Sequence, residues 1–496
     1  MNIYQARTLW LISIFFILRL IFLYLSPLGL HGDEAQYWVW SKNLDWGYYS
    51  KPPFVAFIIF ITTSIFGDIE WAVRISSPLL HSLIAFLIFR TAKFAFDEKT
   101  GFWAAAIYFL MPAVWVSSTI VSTDVALLLF WVIALNAWLH LRKEKSLFWA
   151  VIISIAIGLG LLSKYAMIYF VFALILATIF DKISRQIFLS YKGLIIVLIS
   201  SCIILPNIIW NYTNNFVTFS HTLDNANMKN GLALHPIELL TFWIDQLGVF
   251  GPISLIVLIL AIIILIKSSD VLDKKTINLL LILTITPLAL ISLQALLSRA
   301  NANWAVTAYV SGSIILAKFL TLWSPKVKTW VLSGIVLQTG ICLSGLIIIS
   351  NVNMTNKMGL TNLVKRQISW PETVSAVENI IDKGHNNSSY KFVAIDKRIV
   401  FYSLFYYGLN DKLPLRMWTF GKNPLSHAEM TYPLQSQDGP ILLLNYYNQD
   451  ELLLKSDFEN LVRLPDLNID LGGRKRRILR VWAGYGYTPR KGRPYG

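Results

Sequence analysis

The sequence predicts a mainly α-helical protein, a polytopic transmembrane helix bundle of about eleven spans followed by a small C-terminal α/β soluble domain. The chain is 55% hydrophobic and only 14% charged, whereas soluble domains are usually about half apolar and about a quarter charged. Its apolar residues also gather in runs of about twenty, the length that crosses a bilayer as a helix. The polar residues return after about residue 350, which predicts a second domain.

The first apolar run carries Arg19 and has no small-residue cleavage signal at its end, so it is interpreted as an uncleaved span. The run Phe54 to Phe66 is too short to span and ends at Gly67, which favours an interfacial or re-entrant helix. The predicted spans are residues 9–28, 78–96, 102–121, 125–141, 147–162, 165–180, 193–210, 242–266, 277–297, 304–323 and 329–350.

The net charge of +15 is explained by orientation in a membrane and does not indicate nucleic-acid binding. Lys and Arg cluster in alternate short loops, and the positive-inside rule places those loops and the N-terminus in the cytoplasm. An odd number of spans then places the C-terminal domain in the periplasm. The predicted division is a transmembrane domain over 1–350, with a first outer loop over 29–77, and a periplasmic domain over 351–496.

Short structural signals occur throughout the C-terminal domain. Ser369 and Glu372 have the spacing of a capping box that opens a helix reaching Lys383. Apolar runs at Lys391–Ile395 and Pro440–Leu444 predict buried strands. The basic cluster 474–477 is interpreted as an exposed turn, with contact to anionic headgroups or phosphates as the alternative.

Polar residues of the outer loops form the candidate site. Charges at membrane depth are costly, so those that the cytoplasmic clusters do not explain are candidates for function. Because alternate loops meet on one face of the membrane, we expect these side chains to lie close together. The candidates are Asp33, Glu34, Lys51, Asp124, Lys164 and Arg299, with Tyr37, Tyr49 and Asn303 as possible sugar or acceptor contacts.

This mixture of charges suits transfer from a phosphorylated donor. Asp33 is the best candidate for a general base, because desolvation is expected to raise its pKa while neighbouring cations limit that rise. Lys51, Lys164 and Arg299 can neutralise a departing phosphate. Each residue also has a structural alternative. The acids can cap helices, with Asp124 as the N-cap of the fourth span; the cations can reach towards headgroups, and the aromatic rings can form an interfacial belt.

The order of these motifs resembles the GT-C class of integral-membrane glycosyltransferases. The resemblance is to the protein O-mannosyltransferase superfamily (glycosyltransferase 39/83-like), and within it to the bacterial lipid A aminoarabinose transferases. It covers roughly residues 1–350 and rests on short motifs in the outer loops. These are Asp33-Glu34 with its following aromatic residues, Lys51-Pro52-Pro53, Phe66-Gly67 with Arg74, Thr123-Asp124, Ser163-Lys164, and Arg299 with Asn303-Trp304.

The resemblance implies an inverting enzyme that uses a polyprenyl-phosphate sugar on the outer membrane face. It implies that Asp33 is the catalytic carboxylate, with Glu34 as a second catalytic residue, and that Lys51, Asp124, Lys164 and Arg299 contact the donor or its phosphate. Aminoarabinose transferases typically have an acidic residue directly before Lys-Pro-Pro, whereas this chain has Ser50. A neutral or acidic sugar is therefore favoured over an amino sugar.

The leading hypothesis is a bacterial inner-membrane glycosyltransferase that acts on lipid A, lipopolysaccharide or another envelope acceptor. Two alternatives remain open, a protein O-mannosyltransferase-like enzyme and a flippase or transporter of lipid-linked sugars. No paired repeats are visible in the sequence, and because transporters are often built from such repeats, this disfavours the transporter. No cofactor is indicated, although Asp33, Glu34 and Asp124 could together hold a divalent ion. The sequence predicts no oligomeric state.

Overall fold

The computed structural model describes residues 2–225, 233–268, 273–322, 325–419, 421, 423–436, 439–447 and 451–489. Helices account for most of the described chain up to residue 349, and a five-stranded sheet lies near the C-terminus. This architecture confirms the predicted fold class, a helix bundle with a small C-terminal α/β domain.

The bundle is built from helices of very different lengths. Among the described residues, two short 3-10 helices, Tyr165–Met167 and Ala302–Ala305, interrupt it. The α-helices are α1 Ile3–Leu25, α2 Gly32–Lys42, α3 Phe54–Phe66, α4 Glu70–Arg74, α5 Ser76–Ala95, α6 Glu98–Phe109, α7 Pro112–Ser117, α8 Thr123–Glu144, α9 Leu147–Ser163, α10 Ile168–Phe180, α11 Lys182–Phe188, α12 Tyr191–Thr213, α13 Val217–Asn225, α14 Pro236–Phe250, α15 Pro252–Lys267, α16 Lys274–Leu297, α17 Ala308–Leu322 and α18 Pro325–Ile349.

Within the described residues, 6 helices are long and apolar enough to cross a membrane, or up to 8 if each bent pair is one span. Each of the predicted spans contains helix, but 242–266 is not one straight helix. Helices α14 and α15 meet there at 109°, because Gly251 has a φ of 99° and Pro252 begins the next helix. The predicted span 102–121 is likewise divided, into α6 and α7, just before Pro112.

Helix α8 lies at the centre of the bundle and positions one of the candidate acids. It packs against α5 and α9, and nearly all of its residues between Val125 and Leu135 are buried. The short helix α3, predicted from the same residues, packs against α2, α8 and α9. The outer end of α8 thus reaches the first outer loop, where α2 and α3 lie.

The C-terminal domain combines short helices with one mixed sheet. The strand order is β2-β1-β3-β5-β4, in which β1 is parallel to β2 and β3, and β5 is antiparallel to β3 and β4. The elements are α19 Val352–Lys357, α20 Thr361–Val364, α21 Trp370–Lys383, β1 Phe392–Ile395, α22 Arg398–Tyr406, α23 Leu409–Lys412, β2 Leu415–Met417, α24 His427–Thr431, β3 Ile441–Asn445, α25 Glu451–Asp457, β4 Phe458–Gly472 and β5 Lys475–Tyr487.

Both predicted strands and the predicted helix are present in this domain, but the capping box is wrong. Ser369 has a φ of 57°, in the left-handed region, and makes no side-chain cap of α21. Its hydroxyl instead donates a hydrogen bond to the carbonyl of Asp470 at 3.3 Å. The residue joins the helix to the end of β4, so a tertiary contact replaces the local cap.

The first outer loop and the C-terminal domain share one hydrophobic core. Helix α2 packs against α22, and the rings of Trp38 and Tyr406 meet edge to face with centroids 4.9 Å apart. Buried residues of both parts, including Trp40 and Phe401, belong to the same cluster. The C-terminal domain therefore lies at the same end of the bundle as the first outer loop.

Candidate functional site

A buried ion pair fixes the start of α2. Glu34 accepts hydrogen bonds from the Arg74 guanidinium at 2.9 and 2.7 Å, and each side chain is only 3% exposed. Its carboxylate also accepts from the backbone amides of His31 and Val121, at 2.9 and 3.0 Å. His31 completes a capping box by accepting from the Asp33 amide. Glu34 thus joins the first outer loop to the segments before α5 and α8.

The neighbouring carboxylate of Asp33 has a different environment. Its Oδ1 accepts a hydrogen bond from Nη1 of Arg398 at 2.8 Å, and the same Nη1 donates to Oε1 of Gln36 at 2.7 Å. Asp33 and Arg398 are 44% and 40% exposed. The two adjacent acids are therefore distinct, because Glu34 is enclosed by protein while Asp33 remains accessible to a substrate.

Burial opposes the charge of Asp33, but nearby cations reverse the effect. Desolvation raises the pKa of Asp33, whereas Arg398, His31 and Lys51 lower it, and the net result is a pKa below the ordinary value. The expected rise in this pKa is thus wrong, because an arginine from the C-terminal domain contacts the carboxylate. Asp33 is ionised at neutral pH and is able to accept a proton.

Three candidate residues from separate outer junctions meet in one network. Asp124 accepts from Nζ of Lys164 at 2.5 Å and from Nδ2 of Asn303 at 2.8 Å. Asp124 is not the N-cap of α8, as the alternative interpretation had it. Ser122 occupies that position, and its hydroxyl accepts a hydrogen bond from the Asp124 amide at 3.3 Å. The carboxylate is consequently free to orient a lysine and an asparagine.

Lys51 lies beside this network in a cavity of about 420 Å³. Among the described residues, its side chain makes no hydrogen bond or ion pair. Burial and the nearby charge of Lys164 lower its pKa, against the opposing effects of Asp124 and Asp33. The cavity joins polar to apolar walls, and its lining includes Ser50, Lys51, Lys164, Asn301, Trp304, Phe172, Leu290 and Ile291.

A second cavity, of about 500 Å³, also borders the network of Asp124, Lys164 and Asn303. Asp124 and Asn303 contribute to its lining, together with Asp245 from α14 and His81 from α5. Lys164 lines only the first of these two cavities. The two partners of the Lys164–Asp124 ion pair therefore line different cavities of similar size.

The remaining predicted residues lie around this centre. Tyr37 is buried, with its ring 5.3 Å from that of Trp40. Tyr49 is half-buried beside His221, with ring centroids 5.3 Å apart. Arg299 is exposed in the loop that follows α16, four positions before Asn303. Within the described residues, neither tyrosine is hydrogen-bonded to Asp124.

Arg398 and Gln36 were not among the predicted site residues. Gln36 is one helical turn from Asp33 and could have been found from that spacing. Arg398 is separated from Asp33 by 365 positions, and no motif around it indicates a partner.

Among the described residues, no group of three or more His, Cys, Asp or Glu side chains is arranged to hold a metal ion. The Asp33, Glu34 and Asp124 cluster suggested by the sequence does not form, since Arg74 and backbone amides surround Glu34.

Comparisons with known proteins agree with this architecture. Residues 50–210 match the family described as dolichyl-phosphate-mannose-protein mannosyltransferase. The lipid A galacturonosyltransferase RgtD of Rhizobium johnstonii is 36% identical over 312 residues, which cover 62% of this chain and 64% of that enzyme. The chain thus matches less than two thirds of the length of this curated relative.

Two solved structures share the fold over nearly their whole length. ArnT from Cupriavidus metallidurans bound to undecaprenyl phosphate superposes with a TM-score of 0.67 at 14% identity, over 97% of this chain and 99% of that one. Its apo state gives a TM-score of 0.64 at 14% identity, over 98% and 100%. These matches confirm the predicted fold, and with the family match they confirm the resemblance inferred from the sequence.

Proposed function

We propose that this chain, which has the fold of the GT-C integral-membrane glycosyltransferases, transfers a sugar from a polyprenyl-phosphate donor to lipid A or a related envelope acceptor. The observation that carries the proposal is the pair of cations, Lys51 and Lys164, in a cavity that also has apolar walls formed by residues such as Phe172, Leu290 and Ile291. A lipid phosphate needs both features, a cationic end for its phosphate and an apolar surface for its chain. The similarity to a lipid A galacturonosyltransferase supports the choice of acceptor.

In this proposal, Lys51 and Lys164 bind the phosphate of the donor. Lys51 is the stronger contributor because it makes no ion pair with a described residue, so its charge is available to the ligand. Asp124 and Asn303 hold Lys164 in place through the network described above. Arg299, which is exposed in the loop that follows α16, is an additional phosphate contact in this proposal. These cations stabilise the negative charge that grows on the phosphate as it leaves.

Asp33 acts as the general base. The acceptor hydroxyl oxygen attacks the anomeric carbon, the bond from that carbon to the phosphate oxygen breaks, and the hydroxyl proton passes to Asp33. Attack opposite the leaving phosphate inverts the anomeric configuration. Arg398 keeps Asp33 ionised and oriented between turnovers. Glu34 has a positioning role in place of the predicted catalytic one, since Arg74 and backbone amides engage both of its oxygens.

We further propose that the sugar is a uronic acid. The site has Ser50 directly before Lys51, where an amino-sugar enzyme of this class typically has an acid. Without that negative charge, the cations near Asp33 favour a sugar that carries a carboxylate. The galacturonosyl group named for the 36% identical relative supports the same choice. In this proposal Tyr49 and the more deeply buried Tyr37 shape the sugar pocket.

The membrane orientation is also part of the proposal. We assign the chain to a bacterial inner membrane with its N-terminus in the cytoplasm, an orientation that the basic loops support, and the first outer loop then faces the periplasm. The C-terminal domain lies on that same side, because Arg398 contacts Asp33 directly. This contact supports placing the C-terminal domain on the side of the first outer loop, whatever the number of spans.

The purified chain in detergent tests the activity. With a polyprenyl-phosphate sugar and lipid A, wild-type protein should form glycosylated lipid A, and Asp33→Asn should form about 100- to 10,000-fold less per unit time. Asp33→Asn should fold and bind donor like the wild type. Sugar recovered in a protein fraction would favour the mannosyltransferase alternative. Conversion without a second compartment would exclude a protein that only transports, and full activity of Asp33→Asn would remove the proposed base.

A further inference from the structure

The C-terminal domain has a strongly basic cavity that the proposed reaction does not use. The cavity measures about 440 Å³ and lies between the segment before α21, the start of α22 and the turn joining β4 to β5. No acidic residue is among the described residues that line it. We call it the basic cavity, and its cationic lining includes Lys365, Arg366, Lys397, Lys475, Arg476 and Arg480.

A seventh cation, Arg477, builds the floor of this cavity. Its guanidinium donates to the carbonyls of Ser369 and Ile368 at 2.9 Å each and to the hydroxyl of Thr373 at 2.8 Å. It also lies 3.5 Å from the centre of the Trp370 ring. Arg477 is therefore a structural residue that joins β5 to α21. The predicted exposed basic turn is thus wrong for this residue, which is buried.

The other six cations are not neutralised by the protein. Within the described part of the chain, none of them forms an ion pair with a carboxylate. Lys397 has Arg366 and Arg398 nearby, and burial together with these like charges lowers its pKa, although Asp396 opposes the shift. Gathering like charges around one cavity destabilises a fold unless an anion binds there. The arrangement thus points to an anionic ligand.

The basic cavity is adjacent to Asp33. Three consecutive residues make the connection, since Lys397 and Ile399 line the cavity while Arg398 between them binds Asp33. Ile399 also packs directly over Gly32, the residue before Asp33. A ligand in the cavity is consequently held one short segment away from the proposed base.

We propose that the basic cavity binds the phosphate groups of the acceptor glycolipid and so presents an acceptor hydroxyl to Asp33. This inference rests on the proposed function and deepens it by assigning the acceptor to the C-terminal domain. Arginine suits phosphate because its planar guanidinium donates two parallel hydrogen bonds, and lysine adds a compact charge. The donor phosphate, by contrast, binds at Lys51 and Lys164, so the two anions occupy separate sites.

Equilibrium binding to the full-length purified chain, without donor, tests the proposal. The probe is a glucosamine-disaccharide bisphosphate, a soluble mimic of a phosphorylated lipid A headgroup. We expect saturable binding at least about tenfold tighter than that of the unphosphorylated disaccharide. The double variant Lys475→Gln/Arg476→Gln should weaken bisphosphate binding by at least about tenfold. The matched control Lys383→Gln/Lys391→Gln, which changes exposed residues of the same domain outside the cavity, should bind like the wild type.

Equal binding of the bisphosphate by the cavity variant and the wild type would overturn the proposal. Vesicles containing phosphatidylglycerol distinguish an acceptor site from a general membrane contact, and we expect them not to displace the probe. Displacement at equal phosphate concentration would instead assign the cavity to the membrane surface. In turnover assays, the cavity variant should raise the KM for acceptor while leaving kcat and the KM for donor unchanged. If the wild type turns over and the variant has an unchanged KM for acceptor, this inference alone is contradicted. If the wild type shows no turnover, the proposed function is contradicted.

Discussion

Arg398 of the C-terminal domain donates a hydrogen bond to Asp33 of the first outer loop at 2.8 Å, across 365 positions of sequence. The contact joins the two parts of the chain at the carboxylate that we propose as the general base. It also lowers the pKa of Asp33 against the opposing effect of burial. Several consequences of this geometry are open to measurement.

Arg398→Gln should move the acidic limb of the pH-rate profile to higher pH. The arginine lowers the pKa of Asp33, so its removal raises that pKa, and the base becomes protonated at a pH where it is ionised in the wild type. As the pH falls, the variant therefore loses activity at a higher pH than the wild type does. Arg398→Lys should restore part of the original profile. The comparison variant is Arg463→Gln, which alters an exposed arginine on β4, and its profile should match that of the wild type.

Gly32→Ala should disturb the same contact from the other side. A Cβ at this position would overlap the side chain of Ile399, and overpacking of this kind typically costs about 1–3 kcal/mol. We expect lower activity together with the pH shift described for Arg398→Gln. Adding Ile399→Ala should relieve the overlap and recover activity. Gly248→Ala, where a Cβ meets nothing within 4 Å, provides the control; failure of the double variant to recover would contradict the packing explanation.

Glu34→Gln should reduce stability more than it affects catalysis. It leaves Arg74 buried without its carboxylate, and breaking a buried ion pair usually costs about 3–5 kcal/mol. Thermal unfolding in detergent should show a lower Tm than that of the wild type. Folded protein prepared at low temperature should retain much of the wild-type kcat. A variant with normal Tm and lost kcat would restore the catalytic role that the sequence suggested for Glu34.

Lys51→Gln should weaken donor binding. A hydrogen bond to a charged group contributes about 1.5–3 kcal/mol, so we expect the KM for donor to rise about tenfold to a hundredfold. Lys51→Arg should retain part of the affinity because it keeps the charge. Lys42→Gln removes a cation of the same loop that pairs with Asp68, and it should leave donor KM unchanged. An equal rise of the donor KM in Lys51→Gln and Lys42→Gln would indicate a general effect of the charge of the loop.

The local parts of this architecture were readable from sequence, because they depend on spacing along the chain. The outer junctions bring Asp124, Lys164 and Asn303 together as expected, since alternate loops of a helix bundle share one face. The length of α3 follows directly from its apolar run. In these cases the bilayer constrains the length and polarity of each segment, and each segment meets that requirement independently of the rest of the chain.

The errors arise where tertiary packing decides the outcome. The missed bend between α14 and α15 is a different, local error, because Gly251 and Pro252 cause it and the apolar residues on both sides concealed it. Ser369 does not cap α21, because β4 provides a different hydrogen-bond partner. Arg398 reaches Asp33 only after α22 has packed against α2. Composition and periodicity contain no information about that pairing.

The most direct test of the account is mass spectrometry of lipid A after incubation with the purified chain and a polyprenyl-phosphate uronic acid. The account predicts that wild-type protein adds one uronic acid residue to lipid A and releases polyprenyl phosphate. It also predicts that Asp33→Asn, folded and able to bind donor, produces almost none of this product. Lipid A of unchanged mass with active wild-type protein, or equal product from the variant, would contradict the central claim.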